Sequence, residues 1–147
     1  MKIILEDSSN EEIEVTIKGN ITDSKVQTIV ALLKSKSLTS KLIAFDDSKE
    51  VLINIKDIYY FTVSDRKVIV KTEKKELFCK YSLAEILELF KSYGISQISK
   101  SYLVNINHIE SLESEFSGNY TVRLKNKERL IASRFYMRQF RKDIMEG

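Results

Sequence analysis

The sequence predicts a mainly β fold with one or two short helices, preceded by a small unit of one strand and one helix. Three observations predict it. Short β-branched and aromatic runs succeed one another from Leu42 onward, broken by polar or charged turns. Apolar stripes of helical spacing are confined to a few short segments. Finally, 147 residues with 43% apolar and 31% charged side chains make about one globular domain with a small attachment.

The elements follow in chain order. Glu11–Lys18 alternates, with Ile13, Val15 and Ile17 on one side, as a half-buried strand does. Gly19 and Asn20 turn the chain. Thr22 or Asp23 then caps a helix whose stripe is Val26, Ile29, Val30 and Leu33, ending in the polar Ser35–Ser40 stretch. A segment of this size is too small for an independent core. Residues 1–44 are therefore expected to act as a dimerisation or regulatory unit, packed on the rest or on a copy of themselves, ahead of a domain at 45–147. Strands are expected at Leu42–Phe45, Val51–Ile55, Ile58–Val63, Lys67–Thr72 and Glu76–Tyr81. Ser82 and Glu85 have capping-box spacing before Ile86, Leu87, Leu89 and Phe90, and Gly94 is a fitting stop. Gln97–Asn107 reads as a loop. Three more strands follow at Ile109–Glu113, Asn119–Leu124 and Glu128–Ala132, the first two joined through Ser117 and Gly118. Ser133 caps a last helix with Met137, Phe140 and Ile144 inside and Arg134, Arg138 and Arg141 on a second stripe.

Composition narrows the function. One cysteine, Cys79, permits no internal disulfide, and with the one histidine, His108, it leaves no metal site of familiar spacing. Cys79 fits a half-buried apolar strand position. Four glycines and no proline leave no Gly-rich phosphate loop, and no cofactor is implied. No apolar run approaches the roughly 18 to 20 residues of a membrane-spanning helix. Residues 1–10 are too acidic for a secretory signal, so a cytoplasmic protein is expected. The acids are scattered through polar stretches and His108 opens a strand, where a structural hydrogen bond suits it better than catalysis; neither enzyme activity nor a small-molecule substrate is expected.

Charge is unevenly placed. Residues 1–50 hold seven lysines against nine acids, whereas Tyr120–Gly147 holds eight Lys/Arg against three. Such an excess favours a polyanionic partner. Phosphates need cationic donors, and base edges need Arg, Lys, Asn or Ser side chains on a projecting surface. Three groups qualify: Arg66 and Lys67 between two strands; Ser99, Lys100 and Ser101 with Asn105 and Asn107; and Arg134, Arg138 and Arg141. Asn105 suits a backbone-holding role better than a DNA contact. Tyr59-Tyr60-Phe61 lies within a strand and reads as core rather than as a base-stacking platform. The alternative to nucleic acid is a non-catalytic adaptor whose basic face meets an acidic protein.

Ser99-Lys100-Ser101-Tyr102-Leu103-Val104-Asn105-Ile106-Asn107-His108-Ile109, followed by Val122-Arg123-Leu124-Lys125-Asn126 and Ala132-Ser133-Arg134, resembles the signature of the LytTR family of bacterial DNA-binding domains. With Ile58–Phe61 and Ser82-Leu83 upstream, the resemblance spans about residues 45–147. The acidic leader and Ile98–Ser101 are similar to the short, response-regulator-like members that lack a phospho-acceptor receiver domain. The resemblance implies an elongated β domain whose loops enter two successive major grooves of double-stranded DNA and bend it, at promoter repeats. It places contacts on Arg66 and Lys67, on Ser99, Lys100 and Ser101, and on Ser133 and Arg134, with Asn107 and Arg138 as further candidates. Phe135 stands where a second basic residue is common in the family. Such a protein would regulate transcription as a homodimer, alongside a membrane-bound regulatory partner protein.

Overall fold

The computed structural model describes residues 1–9, 13–35 and 40–146, which fall into two compact units, Met1–Ser35 and Lys36–Gly147. In the smaller unit α1 spans Ser24–Ser35. The Asp23 side chain accepts the Lys25 N–H at 2.9 Å, so of the two expected caps Asp23 serves. Val26, Ile29 and Val30 are half-buried and Leu33 is exposed.

The expected strand at 11–18 is not found among the described residues: its first two residues lie outside them, and residues 13–18 form no ladder with any described residue, Ile13 and Val15 being exposed. Alternation makes a two-faced ribbon, but a strand exists only when a neighbour takes its N–H and C=O groups. No described residue of this unit offers that edge.

The larger unit is built on antiparallel β-structure. Its elements are β1 Lys41–Asp46, β2 Lys49–Asn54, β3 Ile58–Ser64, β4 Lys67–Thr72, β5 Glu76–Cys79, α2 Leu83–Phe90, β6 Ile95–Ser99, β7 Tyr102–Asn105, β8 Ile109–Ser114, β9 Tyr120–Leu124, β10 Arg129–Ala132 and α3 Arg134–Glu146. Strands β1 to β7 form one sheet in the order β2-β1-β5-β4-β3-β7-β6, and β10-β9-β8 form a second. The expected strands from residue 42 to 81 are all present. β5 ends at Cys79 because Ser82 starts the next helix, its hydroxyl accepting the Glu85 N–H while the Glu85 carboxylate accepts the Ser82 N–H. Gly94, at φ +90°, closes the short turn after α2 in the left-handed region that only glycine enters freely.

The stretch expected to be a loop, Gln97–Asn107, instead holds the end of β6 and all of β7. Ile98, Leu103, Val104 and Asn105 are buried there, as is Ser96 just before the stretch. Two buried polar residues interrupt the apolar pattern, which disguises the strands. Asn105 repays its burial by bonding: its amide donates to the carbonyls of Ile58 at 2.9 Å and Ile55 at 3.3 Å, and its oxygen accepts the Asn107 N–H at 3.1 Å.

Successive residues of β7 serve different cores, as strand geometry requires. Leu103 faces the first, where Phe61, Val70 and Leu77 meet Ile86 and Phe90 of α2. Val104 faces the second, where Tyr59 and Ile98 meet Val122, Leu124 and Leu130 of the smaller sheet and Met137 and Phe140 of α3. The predicted core role of Tyr59 and Phe61 holds. His108 stacks on Tyr59 with ring centroids 4.1 Å apart and its Nε2 meets the Lys56 carbonyl, the structural role expected of it. Lys71 is held between Glu76 at 3.5 Å and Glu128 at 3.7 Å, while burial and the Glu128 carboxylate raise the Tyr60 phenol well above its ordinary range. Tyr60 therefore stays a hydrogen-bond donor to Glu128, tying the first sheet to the turn that precedes β10.

Removing the Asn105 amide takes a buried donor from the Ile58 carbonyl and leaves the Ile55 carbonyl only its bond from the Ile58 N–H. Asn105→Ala is expected to cost about 2 to 3 kcal/mol, read as a lower urea midpoint at unchanged slope. Ser82→Ala, which loses one exposed cap, should cost only about 1 kcal/mol.

Candidate nucleic-acid interface

Register decides where the polar turns lie. β3 and β7 pair antiparallel, with Thr62 opposite Tyr102. β3 runs on from there to Ser64, which pairs with Lys67, leaving Asp65 and Arg66 as a two-residue turn. β7 runs back from Tyr102, which pairs with Ser99, leaving Lys100 and Ser101 as another. The two hairpins are thus neighbours and point the same way. Strand spacing puts their axes roughly 10 Å apart, and the β3–β4 hairpin projects about 7 Å further by its two extra residues.

The third group joins them through the backbone. The Ser133 N–H donates to the Ile98 carbonyl at 2.8 Å, which places the start of α3 beside the residue that leads into Ser99 and Lys100. The Ser133 hydroxyl accepts the Phe135 N–H at 3.3 Å, the expected cap. Arg134 follows it, exposed, and Arg138 lies one turn further along the same helix face. The row therefore reads Arg66, Lys100, Arg134 across one end of the larger unit, with Lys100 in the middle. Arg141 is drawn aside, its guanidinium 5.1 Å from the Tyr120 ring centre.

Asn107 is not brought to this end. It sits past the opposite end of β7, its amide 3.2 Å from the Asn105 oxygen, where a side chain on Gly94 would come within 3.0 Å of it.

Two further features of this end were not read from the motif. The Asn119 side-chain oxygen accepts the Arg134 N–H at 3.2 Å, and the Arg134 side chain lies over Gly118, where a Cβ would meet its Cδ at 3.3 Å. The β8–β9 turn thereby positions Arg134, and the Ser117-Gly118 turn signal was the only sequence trace of it. Phe116 and Phe135 are both largely exposed nearby in the chain.

Backbone conformation singles out the first turn. Asp65 and Arg66 both have positive φ, 54° being the value at Asp47 in the β1–β2 turn but 49° and 64° here. That is the type I′ pattern, which normally takes Asn and Gly. An arginine in the left-handed region costs about 1 to 2 kcal/mol, and such cost is found where function holds a residue in place.

The profile of the LytTr DNA-binding domain family matches residues 48–145. Sensory transduction protein LytT of Bacillus cereus is 29% identical over 92 residues, 63% of this chain and 37% of that protein, so the chain spans little more than a third of that relative's length. An uncharacterized HTH-type transcriptional regulator of Staphylococcus aureus is 28% identical over 142 residues, 96% of both chains. No two α-helices adjoin among the described residues of the present chain, so those residues contain no helix-turn-helix. The solved LytTr DNA-binding domain from Bacillus cereus superposes with a TM-score of 0.67 at 25% identity, covering 71% of this chain and 96% of that one.

Relieving the turn separates its two roles. Arg66→Gly is expected to raise stability by about 1 kcal/mol, or about 3 °C in Tm, while weakening DNA binding. A loss of both stability and binding would show that Arg66 belongs to the scaffold.

Proposed function

The chain belongs to the LytTR family of DNA-binding domains, and from that membership we propose that it is a sequence-specific, double-stranded DNA-binding transcription regulator. One observation carries the reading: Arg66 and Lys67, Ser99 to Ser101, and Ser133 and Arg134 stand in a row at one end of a rigid β scaffold. Turns of this kind supply both phosphate donors and groups for base edges. Arg138 extends the cationic surface along α3 toward the phosphates.

The outer two turns take successive major grooves in this reading, and the DNA bends to let them. From strand spacing, the backbone of the row covers roughly 17 Å. Successive major grooves recur at about 34 Å along a straight duplex. Extended arginine side chains shorten the difference, and curvature of the duplex toward the protein makes up the rest, at a cost of a few kcal/mol that the added contacts offset.

The protein acts as a homodimer on promoter repeats in the bacterial cytoplasm, with the part of residues 1–44 that precedes β1 as the dimerisation or regulatory element. Ile3, Leu5, Ile13, Val15 and Ile21 are all more than half exposed, an apolar surface that a small soluble unit rarely leaves uncovered. The resemblance to short stand-alone regulators adds a membrane-bound regulatory protein as its input. No described helix is long and apolar enough to cross a membrane.

Contact with about six phosphates gives a slope of log affinity against log salt of about −5. Arg66→Ala and Lys100→Ala are each expected to cost about 1 to 3 kcal/mol on specific DNA. A double variant that keeps full affinity in a gel-shift titration removes both turns from the interface. For the smaller unit, light scattering should give twice the chain mass for the full protein and a monomer when residues 1–35 are deleted; an unchanged oligomeric state rejects its dimer role.

A further inference from the structure

A cavity of about 780 Å³ opens beside the β3–β4 turn, within the size range of sites that hold small organic molecules. Its walls include Phe45, Phe78 and Tyr81, each left partly exposed. Lys67 lies over the Phe78 ring with Nζ 5.2 Å from its centre, and Lys80 over the Phe45 ring at 4.9 Å. Arg66 lines the same space. Among the described residues, none of these three cations has a carboxylate within ion-pair distance, whereas Lys71, Lys91, Arg123 and Lys127 all do. Two acids, Asp47 and Glu85, also line the cavity, the latter accepting the Ser82 N–H at 3.2 Å, so three cations face two carboxylates there.

We propose that this cavity is a regulatory site for a small aromatic carboxylate, its ring against Phe45 and Phe78 and its acid group between Lys67 and Lys80. Ring faces attract both planar apolar groups and cations, so the lysines that now cover the rings hold the anion at their edge. A phosphate-rich ligand fits less well. It would use the cations, Arg66 among them, but leave the ring faces unused, and at the α2 N-terminus Ser82 and Glu85 already bond each other's backbone N–H in the capping box. A purely aliphatic acid would leave the paired ring faces unused.

The position gives the site its consequence. Arg66 and Lys67 line the cavity and also form the first of the three DNA turns, so a bound acid draws both cations away from the duplex. This coupling rests on the DNA-binding reading, whereas binding of the acid does not. By linkage, the factor by which the acid weakens DNA binding is the factor by which DNA weakens the acid.

The test titrates the full chain with 2-naphthoate, followed by amide NMR shifts, with acetate as the anion lacking a ring. Saturable shifts centred on Lys80, Tyr81 and the Asp65-Arg66 turn are expected, with acetate producing none. Lys80→Gln and Phe78→Ala, each at a partly exposed side chain, should weaken naphthoate about tenfold or more while the amide spectrum stays folded. Unsaturable shifts, shifts centred on Met1–Ser35, equal shifts from acetate, or indifference to Lys80→Gln overturn the site. Naphthoate should also release a bound duplex from the wild type but not from Lys80→Gln. Saturable binding without release overturns the coupling alone, and failure of the wild-type protein without naphthoate to bind any duplex at low salt overturns the DNA reading while the titration still decides the site.

Discussion

The pairing of β3 with β7 is the constraint on which the rest depends. These strands are some forty residues apart in sequence, and their antiparallel register, Phe61 opposite Leu103 and Thr62 opposite Tyr102, aims both hairpins the same way. Turn the register by one residue and Leu103 and Val104 would exchange cores, which neither core tolerates because both side chains are fully buried. The cationic turns are therefore fixed relative to one another chiefly by apolar packing. Asn105 reinforces the arrangement from the other end of β7 by holding the backbone that enters β3.

The same packing suits these turns to the proposed role of contacts. A long polar side chain on a mobile loop loses conformational freedom when it binds, and that loss subtracts from affinity. Here each turn has two residues, or is pinned by a backbone hydrogen bond as Ser133 is to Ile98. Arg134 is further restrained by Asn119 and Gly118. Little order remains to be imposed on binding, and the strained backbone at Asp65 and Arg66 is one cost of presenting the arginine that way.

Much of this was legible in the sequence, for identifiable reasons. Strands β1 to β5 show because their turns are charged and their runs β-branched; the capping box at Ser82 and Glu85 shows because its spacing is local. β6 and β7 hide because Ser96 and Asn105 put buried polar groups where alternation calls for apolar ones. The pattern at Glu11–Lys18 misled in the opposite sense, since alternation reports two faces but not the presence of a neighbouring strand. Among the site residues, Lys100 came from a contiguous motif and Arg66 from a turn between two runs. Their common side of the molecule could not be read, because it follows from a pairing between distant segments. Asn107 looked like part of the Lys100 group for the same reason: nearness along the chain does not reveal that a whole strand separates them.

The proposed function requires the three turns to meet one duplex in a fixed order. The most direct measurement is a missing-nucleoside footprint of the full chain on a duplex selected from random sequence, repeated with Arg66→Ala, Lys100→Ala and Arg134→Ala. Each variant should lose sensitivity at a different position, with the Lys100 position between those of Arg66 and Arg134. Loss at one shared position, or the same footprint from all three variants, would contradict the row of contacts on which the function is argued.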